Sequence, residues 1–375
     1  MNASQTPKQK RASLPRICLC FYVLAAMSTL FYLLFRFNEP FADWFNQTVS
    51  AWIRRALAAL TSWIPFSVAE LFILLLPAVL IFLIVIAAKK YSASWREALT
   101  FVGILFSVVA LVWTIFVWSF AAGYSAPSLD KKLELEREKI SAQELYDTAE
   151  VLRREIDALS KEIIFLEDGA SLMPYSYGEM NEHLMEAYER FAKENPQILK
   201  QYASSVKPVM LSKPMSYTHI TGVYTFFTGE ANVNVNFPDY TVPYTAAHEL
   251  AHQRGIARED EANFIAFLVC RESDDPYIRY SGYLNVYEYV ASALYSTDPA
   301  LYSKSYQELP EGVKAEELAY SAFFDQYRDN VVADLSEATN NGYLILQGNP
   351  EGTRSYHLVV DLTVAFYKSM GLLPS

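Results

Sequence analysis

Residues 248–252 read His-Glu-x-x-His, a spacing at which three side chains could carry out hydrolytic chemistry together. On a helix, positions i and i+4 lie on one face, so His248 and His252 could bind a single metal ion. Glu249 would then stand beside the metal and act as a general base toward water. A chance match is the alternative, but five histidines in 375 residues make it rare. The pattern predicts a Zn2+ site, at which zinc acidifies water and polarises a carbonyl group.

A catalytic zinc ion needs a third protein ligand, which should follow soon after the helix turns back. Gly255 permits such a turn, and the acidic residues Glu259, Asp260 and Glu261 come next. An acid at a helix start can also serve only to stabilise the helix dipole. Spacing alone therefore leaves the choice of third ligand open.

Peptide hydrolysis also requires a hydrogen-bond donor for the oxyanion that forms on the substrate. The candidates are Tyr280, Tyr283 and His219. Each could instead be a structural residue, since tyrosine alone occurs 26 times.

A β-rich stretch precedes the His-Glu-x-x-His helix. Residues 231–237 read ANVNVNF, and this strict alternation predicts a strand that exposes Asn232, Asn234 and Asn236 on one side. One interpretation is an edge strand with a solvated face. The other is an edge along which an extended peptide or protein substrate adds as a further strand through main-chain hydrogen bonds.

Three apolar runs are long enough to cross a lipid bilayer, at about residues 17–35, 66–88 and 99–120. The first could be a cleaved signal peptide, but no small-x-small cleavage site follows it, which favours an uncleaved anchor. Between the first two runs, apolar residues recur at helical spacing from Phe45 to Trp63. They predict either an amphipathic helix on the membrane surface or a connecting helix packed on the spans.

Lysines and arginines predict the orientation of these spans. By the positive-inside bias, two basic clusters belong in the cytoplasm, although Arg54 and Arg55 in the intervening loop weaken the contrast. The first cluster is Lys8, Lys10, Arg11 and Arg16, and the second is Lys89, Lys90 and Arg96. With an odd number of spans, residues 123–375 then lie outside the cytoplasm, in a multi-pass cell membrane protein with a cytoplasmic N-terminus.

The charge distribution divides the chain at the same point. Of 31 basic and 42 acidic residues, residues 1–122 hold 10 and 4, which leaves 21 and 38 for residues 123–375. So acidic a domain would be repelled by phosphates, and binding to nucleic acid is not expected.

Two functions from different classes fit these features. One is a membrane-anchored zinc metallopeptidase that cleaves peptide bonds outside the cytoplasm, and the other is a non-catalytic membrane protein that uses a degenerate or structural zinc site to bind a partner. Glu249 favours the enzyme, because a structural zinc site needs no general base. Cleavage inside the membrane is disfavoured, because residues 244–260 are too polar to span a bilayer.

The segment after Gly255 resembles a known arrangement. Residues 259–263, Glu-Asp-Glu-Ala-Asn, are similar to the E-x-x-A-D/N element of His-Glu-x-x-His peptidases with a glutamate ligand, which include the CAAX-prenyl/heat-shock membrane peptidases and the ImmA-type repressor-cleaving peptidases. This resemblance implies that Glu259 is the third zinc ligand, with Glu261 as the alternative. It also implies that Asn263 supports a histidine ligand from behind.

Nearly the whole chain resembles a bacterial membrane family, domain of unknown function 3810. The features that carry the likeness are the N-terminal multispan segment, YTFFTGEANVNVN, AAHELAHQRGIAREDEANFIAF and YSGY. The fold class expected is α+β, mainly α. Three transmembrane helices in residues 1–122 would be followed, in residues 123–375, by a zincin-like metallopeptidase domain with a small β-sheet.

Overall fold

The structure is a computed structural model that describes residues 13–346 and 358–373. Lys8, Lys10 and Arg11 lie outside the described residues. In the described part of the chain, three helices are long and apolar enough to cross a membrane. They are α1 (Arg16–Phe37), α4 (Val68–Lys90) and α5 (Trp95–Ser119). Most of their apolar side chains are exposed, as expected of helices that are surrounded by lipid.

Hydrogen bonds hold α1 against α5. Burial of apolar side chains between two helices gives no driving force in lipid, because the lipid tails are themselves apolar. Trp113 and Trp118 donate their indole N–H groups to Thr29 Oγ1 at 3.1 Å and Ser28 Oγ at 3.0 Å. Pro77 lies inside α4, and the helix continues past it.

The connection between α1 and α4 is helical: α2 (Glu39–Phe45), a π-helical turn (Asn46–Ser50) and α3 (Ala51–Ser62). Arg54 of α3 faces inward and is fully buried. Trp52 and Leu60 of α3 and Trp63 directly after it face outward and are between 66% and 77% exposed. The predicted apolar stripe therefore divides: its later part is available to lipid, whereas Phe45 is buried and packs on Phe35 of α1 at 4.9 Å and on Trp118 of α5 at 5.6 Å.

The remaining chain is mainly helical around a small sheet. The helices are α6 (Leu129–Lys132), α7 (Ala142–Ser160), α8 (Tyr177–Glu194), α9 (Ser212–Ser216), α10 (Thr241–Gln253), α11 (Glu259–Arg271), α12 (Pro276–Thr297), α13 (Pro299–Gln307), α14 (Glu311–Phe324), α15 (Val331–Leu346) and α16 (Val359–Ser369). The strands are β1 (Val206–Pro208), β2 (Gly222–Thr225) and β3 (Glu230–Val233). Buried apolar side chains from α7, α8, α10, α11, α12 and α16 form the main core.

The strand order β1-β3-β2 corrects the prediction for residues 231–237. Of this segment only residues 231–233 belong to a strand, β3, which pairs in parallel with β1 and antiparallel with β2 and is therefore central rather than an edge. The asparagines are not a solvated row either: Asn232 and Asn234 are 1% exposed, and Asn236 is half-buried. Asn232 Nδ2 donates to Val223 O at 3.1 Å and Asn234 Nδ2 donates to Ile220 O at 3.2 Å, so both amides tie down the segment beside them.

Buried polar contacts cross the predicted boundary between residues 122 and 123. The Glu230 carboxylate accepts from the N–H groups of Val68 at 3.0 Å and Ala69 at 2.9 Å, at the start of α4. Lys207 ion-pairs with Glu230 and also donates to the carbonyls of Thr61 at 2.8 Å and Phe66 at 3.1 Å. We call this network the anchor joint. It fixes the membrane helices to the rest of the molecule.

Candidate metal centre

The His-Glu-x-x-His segment lies on α10, and every residue of that helix is buried. The helix ends at Gln253, and two residues later Gly255 has a φ of +97°, which is left-handed and favours glycine. A Cβ atom there would lie 2.3 Å from a guanidinium nitrogen of Arg54, so the close approach of α3 also requires glycine. This turn redirects the chain so that α11 runs back beside α10.

Glu259 is the first residue of α11, and the turn places its carboxylate between the two histidines. Glu259 Oε2 lies 3.2 Å from His248 Nε2 and 3.4 Å from His252 Nε2. The three ligand atoms lie within 4.8 Å of one another. His248, His252 and Glu259 could therefore hold one metal ion, as two imidazoles and a carboxylate do at catalytic zinc sites.

The electrostatics of this cluster fit a cation. Burial alone would raise the pKa of Glu259, but His252 and His248 hold it well below its usual value. Burial alone would lower the pKa of His252, but Glu259 raises it to about 9. In the described structure, His248 Nδ1 is buried and without a hydrogen-bond partner. Two imidazoles around a buried carboxylate are a donor set that suits zinc.

The ring of His252 is oriented by a contact at Nδ1, the nitrogen that is not the candidate ligand atom. Its Nδ1 atom lies 2.7 Å from the carbonyl oxygen of Ile256, and a proton on Nδ1 leaves Nε2 free as a ligand. The loop that carries Ile256 is held from the membrane side, because Asn46 Nδ2 donates to Gly255 O at 3.0 Å and Arg54 donates to Arg254 O at 3.3 Å. The helical connection between the spans therefore helps to position a ligand.

Glu249 is buried beside β2. Its Oε2 atom has no hydrogen-bond partner in the described structure, and burial raises the pKa of its carboxyl group against the opposing effect of the two histidines. A Cβ atom on Gly222 would lie 2.6 Å from Glu249 Oε1, so only glycine lets the strand pass so close to this carboxylate.

The structure separates the two candidate third ligands. Glu261 Oε1 accepts from the backbone N–H of Leu129 and from the guanidinium group of Arg258, both at 2.8 Å. Glu261 thus faces away from the histidines and ties α11 to the segment after the spans. Asn263 lines the cavity, but the described contacts include no hydrogen bond from its side chain to a histidine, and its buried Nδ2 atom is unpaired.

The predicted oxyanion donors Tyr280 and Tyr283 do not reach the site. Tyr280 donates to Glu316, and the Tyr283 ring packs on Phe267 at 5.5 Å, both in the core. Other positions of α12 line the cavity instead, namely Asn285, Glu288 and Tyr289. No signal in the sequence showed which positions of this tyrosine-rich helix face the cavity.

His219 does line the cavity, with a φ of +58°. Its Nε2 atom lies 2.6 Å from the carbonyl oxygen of Tyr327, in the connection between α14 and α15. This contact engages one of its two ring nitrogens.

The cluster opens into a cavity of about 1180 Å³. One wall is β2, and another is α12 together with α15. The third wall is aromatic and comes from the segment that follows α5 and from the segment after β2: Phe120, Tyr124 and Phe226. Such a cavity could hold a chain of several residues beside the metal ligands.

Comparison with curated proteins and with solved structures found no match. A family model described as "Protein of unknown function (DUF3810)" matches residues 45–364, from the end of α2 to α16. The matched region includes two of the three apolar helices, the sheet and all three candidate ligands. The chain therefore belongs to the DUF3810 family.

Proposed function

We propose that this protein is a membrane-anchored zinc metallopeptidase that hydrolyses peptide bonds outside the cytoplasm. The observation that carries the proposal is the cluster of His248, His252 and Glu259, with Glu249 beside it on the wall of a cavity. A structural zinc site has no use for a buried glutamate with an unpaired oxygen, so Glu249 supports catalysis over partner binding.

His248, His252 and Glu259 would hold the zinc ion, which supplies Lewis-acid chemistry toward water and the scissile carbonyl. Glu249 takes a proton from the attacking water and passes it to the leaving amine, as a general base that becomes a general acid. Its raised pKa suits this sequence, because a carboxylate with a pKa nearer neutrality accepts the proton of water more readily and can still pass it to the more basic leaving amine. Tyr289 lines the same cavity and is the better candidate for oxyanion donor.

The free edge of β2 supplies the place for an extended peptide substrate. In the described sheet β2 pairs only with β3, and Gly222, Val223 and Tyr224 line the cavity. A peptide added along this edge would gain main-chain hydrogen bonds and would pass Glu249 at Gly222. The substrate edge is thus β2 and not residues 231–237.

The proposed orientation of the spans in the membrane follows from the positions of the basic residues. Arg16 lies at the start of α1, Lys89 and Lys90 end α4, and Arg96 lies in the first turn of α5, all at the ends of the spans away from the metal cluster. The positive-inside bias places these ends in the cytoplasm and the cluster on the outer side.

The test compares Glu249→Gln with the wild-type protein, both purified as full chains in detergent. Incubation with a diverse peptide library, read by mass spectrometry, should show cleavage by the wild-type protein and a loss of at least about 1000-fold in the variant, because the general base is gone. Zinc content should be equal, because Glu249 is not a ligand.

Glu186→Gln is the matched control, since Glu186 is exposed on α8 and should leave turnover unchanged. Undiminished turnover by Glu249→Gln, or a wild-type protein that cleaves no member of the library, would contradict the proposal.

A further inference from the structure

The metal cluster lies at the end of a membrane span. Phe120 directly follows Ser119, the last residue of α5, and its ring centroid is 6.1 Å from that of His252. The same phenylalanine lines the cavity. A side chain at the tip of a transmembrane helix is thus in contact with a candidate zinc ligand.

The bilayer boundary can be placed from length. Residues 99–120 contain no charge and form 22 residues of almost continuous helix, or about 33 Å at 1.5 Å per residue. A bilayer hydrocarbon core is about 30 Å thick. Phe120 therefore lies at the edge of the hydrocarbon region, and the cavity begins at that edge.

A second contact puts another part of the cavity wall at the same level. Phe226 lines the cavity, and its ring packs on Phe116, inside α5, with centroids 5.3 Å apart. The next residue, Phe227, packs on Phe72, inside α4, at 6.2 Å. The segment after β2 thus rests on two spans at once and turns an aromatic surface toward the lipid.

Buried polar groups hold this arrangement in place. Besides the anchor joint, Glu70 in the first turn of α4 accepts from the N–H groups of Met210 at 2.9 Å and Leu211 at 2.7 Å. The side chains of Met210 and Leu211 are 62% and 41% exposed, beside the start of a span. Lifting the cavity away from the bilayer would break these buried contacts, so its height above the lipid is fixed.

We propose that the substrate is a polypeptide anchored in the same membrane and that it is cut within about ten residues of the point where it leaves the bilayer, a length that covers at most about 33 Å when extended. This substrate class rests on the proposed peptidase function. The edge of β2 offers main-chain partners, which a polypeptide uses and a lipid does not. The aromatic wall of Phe120 and Phe226 would receive the apolar flank of the substrate as it emerges.

The first experiment maps cleavage sites in cells that produce the wild-type chain or Glu249→Gln. New protein termini are identified by mass spectrometry, and each Glu249-dependent site is scored by its distance along the chain from the nearest membrane span. Most sites should fall within about ten residues of a span. Sites mainly in proteins without a span, or far from one, would overturn this inference and leave the peptidase function standing. An absence of Glu249-dependent sites would contradict both this inference and the peptidase function.

The second experiment moves the cleaved bond away from the bilayer in one substrate found in this way. Twenty Gly/Ser residues are inserted between the span and the cleaved bond, and the matched control carries the same insertion on the far side of the bond. The near-side insertion should reduce cleavage at least about fivefold, because the effective concentration of the bond at the cavity falls roughly as the −3/2 power of tether length. The control should be cut as before, and equal cleavage of the two would overturn the inference.

Discussion

The anchor joint and the metal centre both bury charged side chains, but they satisfy them differently. In the joint, Lys207 donates to Glu230 and to two carbonyls, while both Glu230 oxygens accept hydrogen bonds. In the metal centre, Glu249 Oε2 and His248 Nδ1 are buried and unpaired, and no described lysine or arginine bonds to Glu249 or Glu259. The charges and hydrogen-bonding groups of the joint are all matched within the protein, whereas those of the centre are not.

The anchor joint therefore has the features of a structural site, and the metal centre has those of a binding site. A buried ion pair whose donors and acceptors all have hydrogen-bond partners holds two parts of a molecule in one arrangement. Unpaired buried groups are costly and rare in native proteins, so a concentration of them indicates a bound species that completes the set. Two imidazoles and two carboxylates around one point would be balanced by a divalent cation, as in the proposed zinc site.

The largest expected effect is at the joint. Glu230→Gln should lower the free energy of unfolding by about 3–5 kcal/mol, because it leaves the Lys207 ammonium buried without its counter-charge. Urea unfolding of the full chain in detergent micelles measures this change.

Lys207→Met combined with Glu230→Gln is the control for that measurement. It should be less destabilising than the sum of the two single variants, because the double variant leaves no buried unpaired charge. A loss below about 1 kcal/mol in Glu230→Gln would show that the joint is not the completed network described above.

Substitutions of the two acids at the start of α11 should affect different properties, one zinc affinity and the other stability. Glu259→Gln should weaken zinc binding by about 100-fold or more, beyond the usual range for residues behind the ligands, because an amide oxygen is a poor zinc ligand. Glu261→Gln should change zinc affinity less than about tenfold. It should instead lower stability by about 1–3 kcal/mol, since Arg258 loses its charged partner.

Chelator competition ranks the zinc affinities of these two variants, and urea unfolding ranks their stabilities. A greater loss of zinc affinity in Glu261→Gln would reverse the assignment of the third ligand.

The sequence predicted what depends on local spacing. Positions 248 and 252 must share a helix face, and the three apolar runs each became one long helix. Spacing alone could not choose between Glu259 and Glu261, because that choice depends on the angle of the turn at Gly255, which contact with Arg54 restricts.

The wrong predictions all concern which side of a helix or strand faces solvent, the cavity or the core. The alternating pattern of residues 231–237 shows two faces, but it does not show that both are covered by neighbouring elements. Tyr280 and Tyr283 lie on a helix whose cavity-facing side is defined only by its packing on Glu316 and Phe267. Arg54 looked like a loop charge, yet it is buried against the end of α10. Each outcome was fixed by residues far away in the chain.

Zinc content tests the central claim most directly. Full-length wild-type protein, purified in detergent and dialysed against metal-free buffer, should contain about one zinc ion per chain by elemental analysis. His248→Ala and His252→Ala should each lose it, while Glu186→Gln should keep it. A wild-type protein without zinc, or equal zinc in the histidine variants and the wild type, would contradict the assignment of residues 248, 252 and 259 as a metal centre.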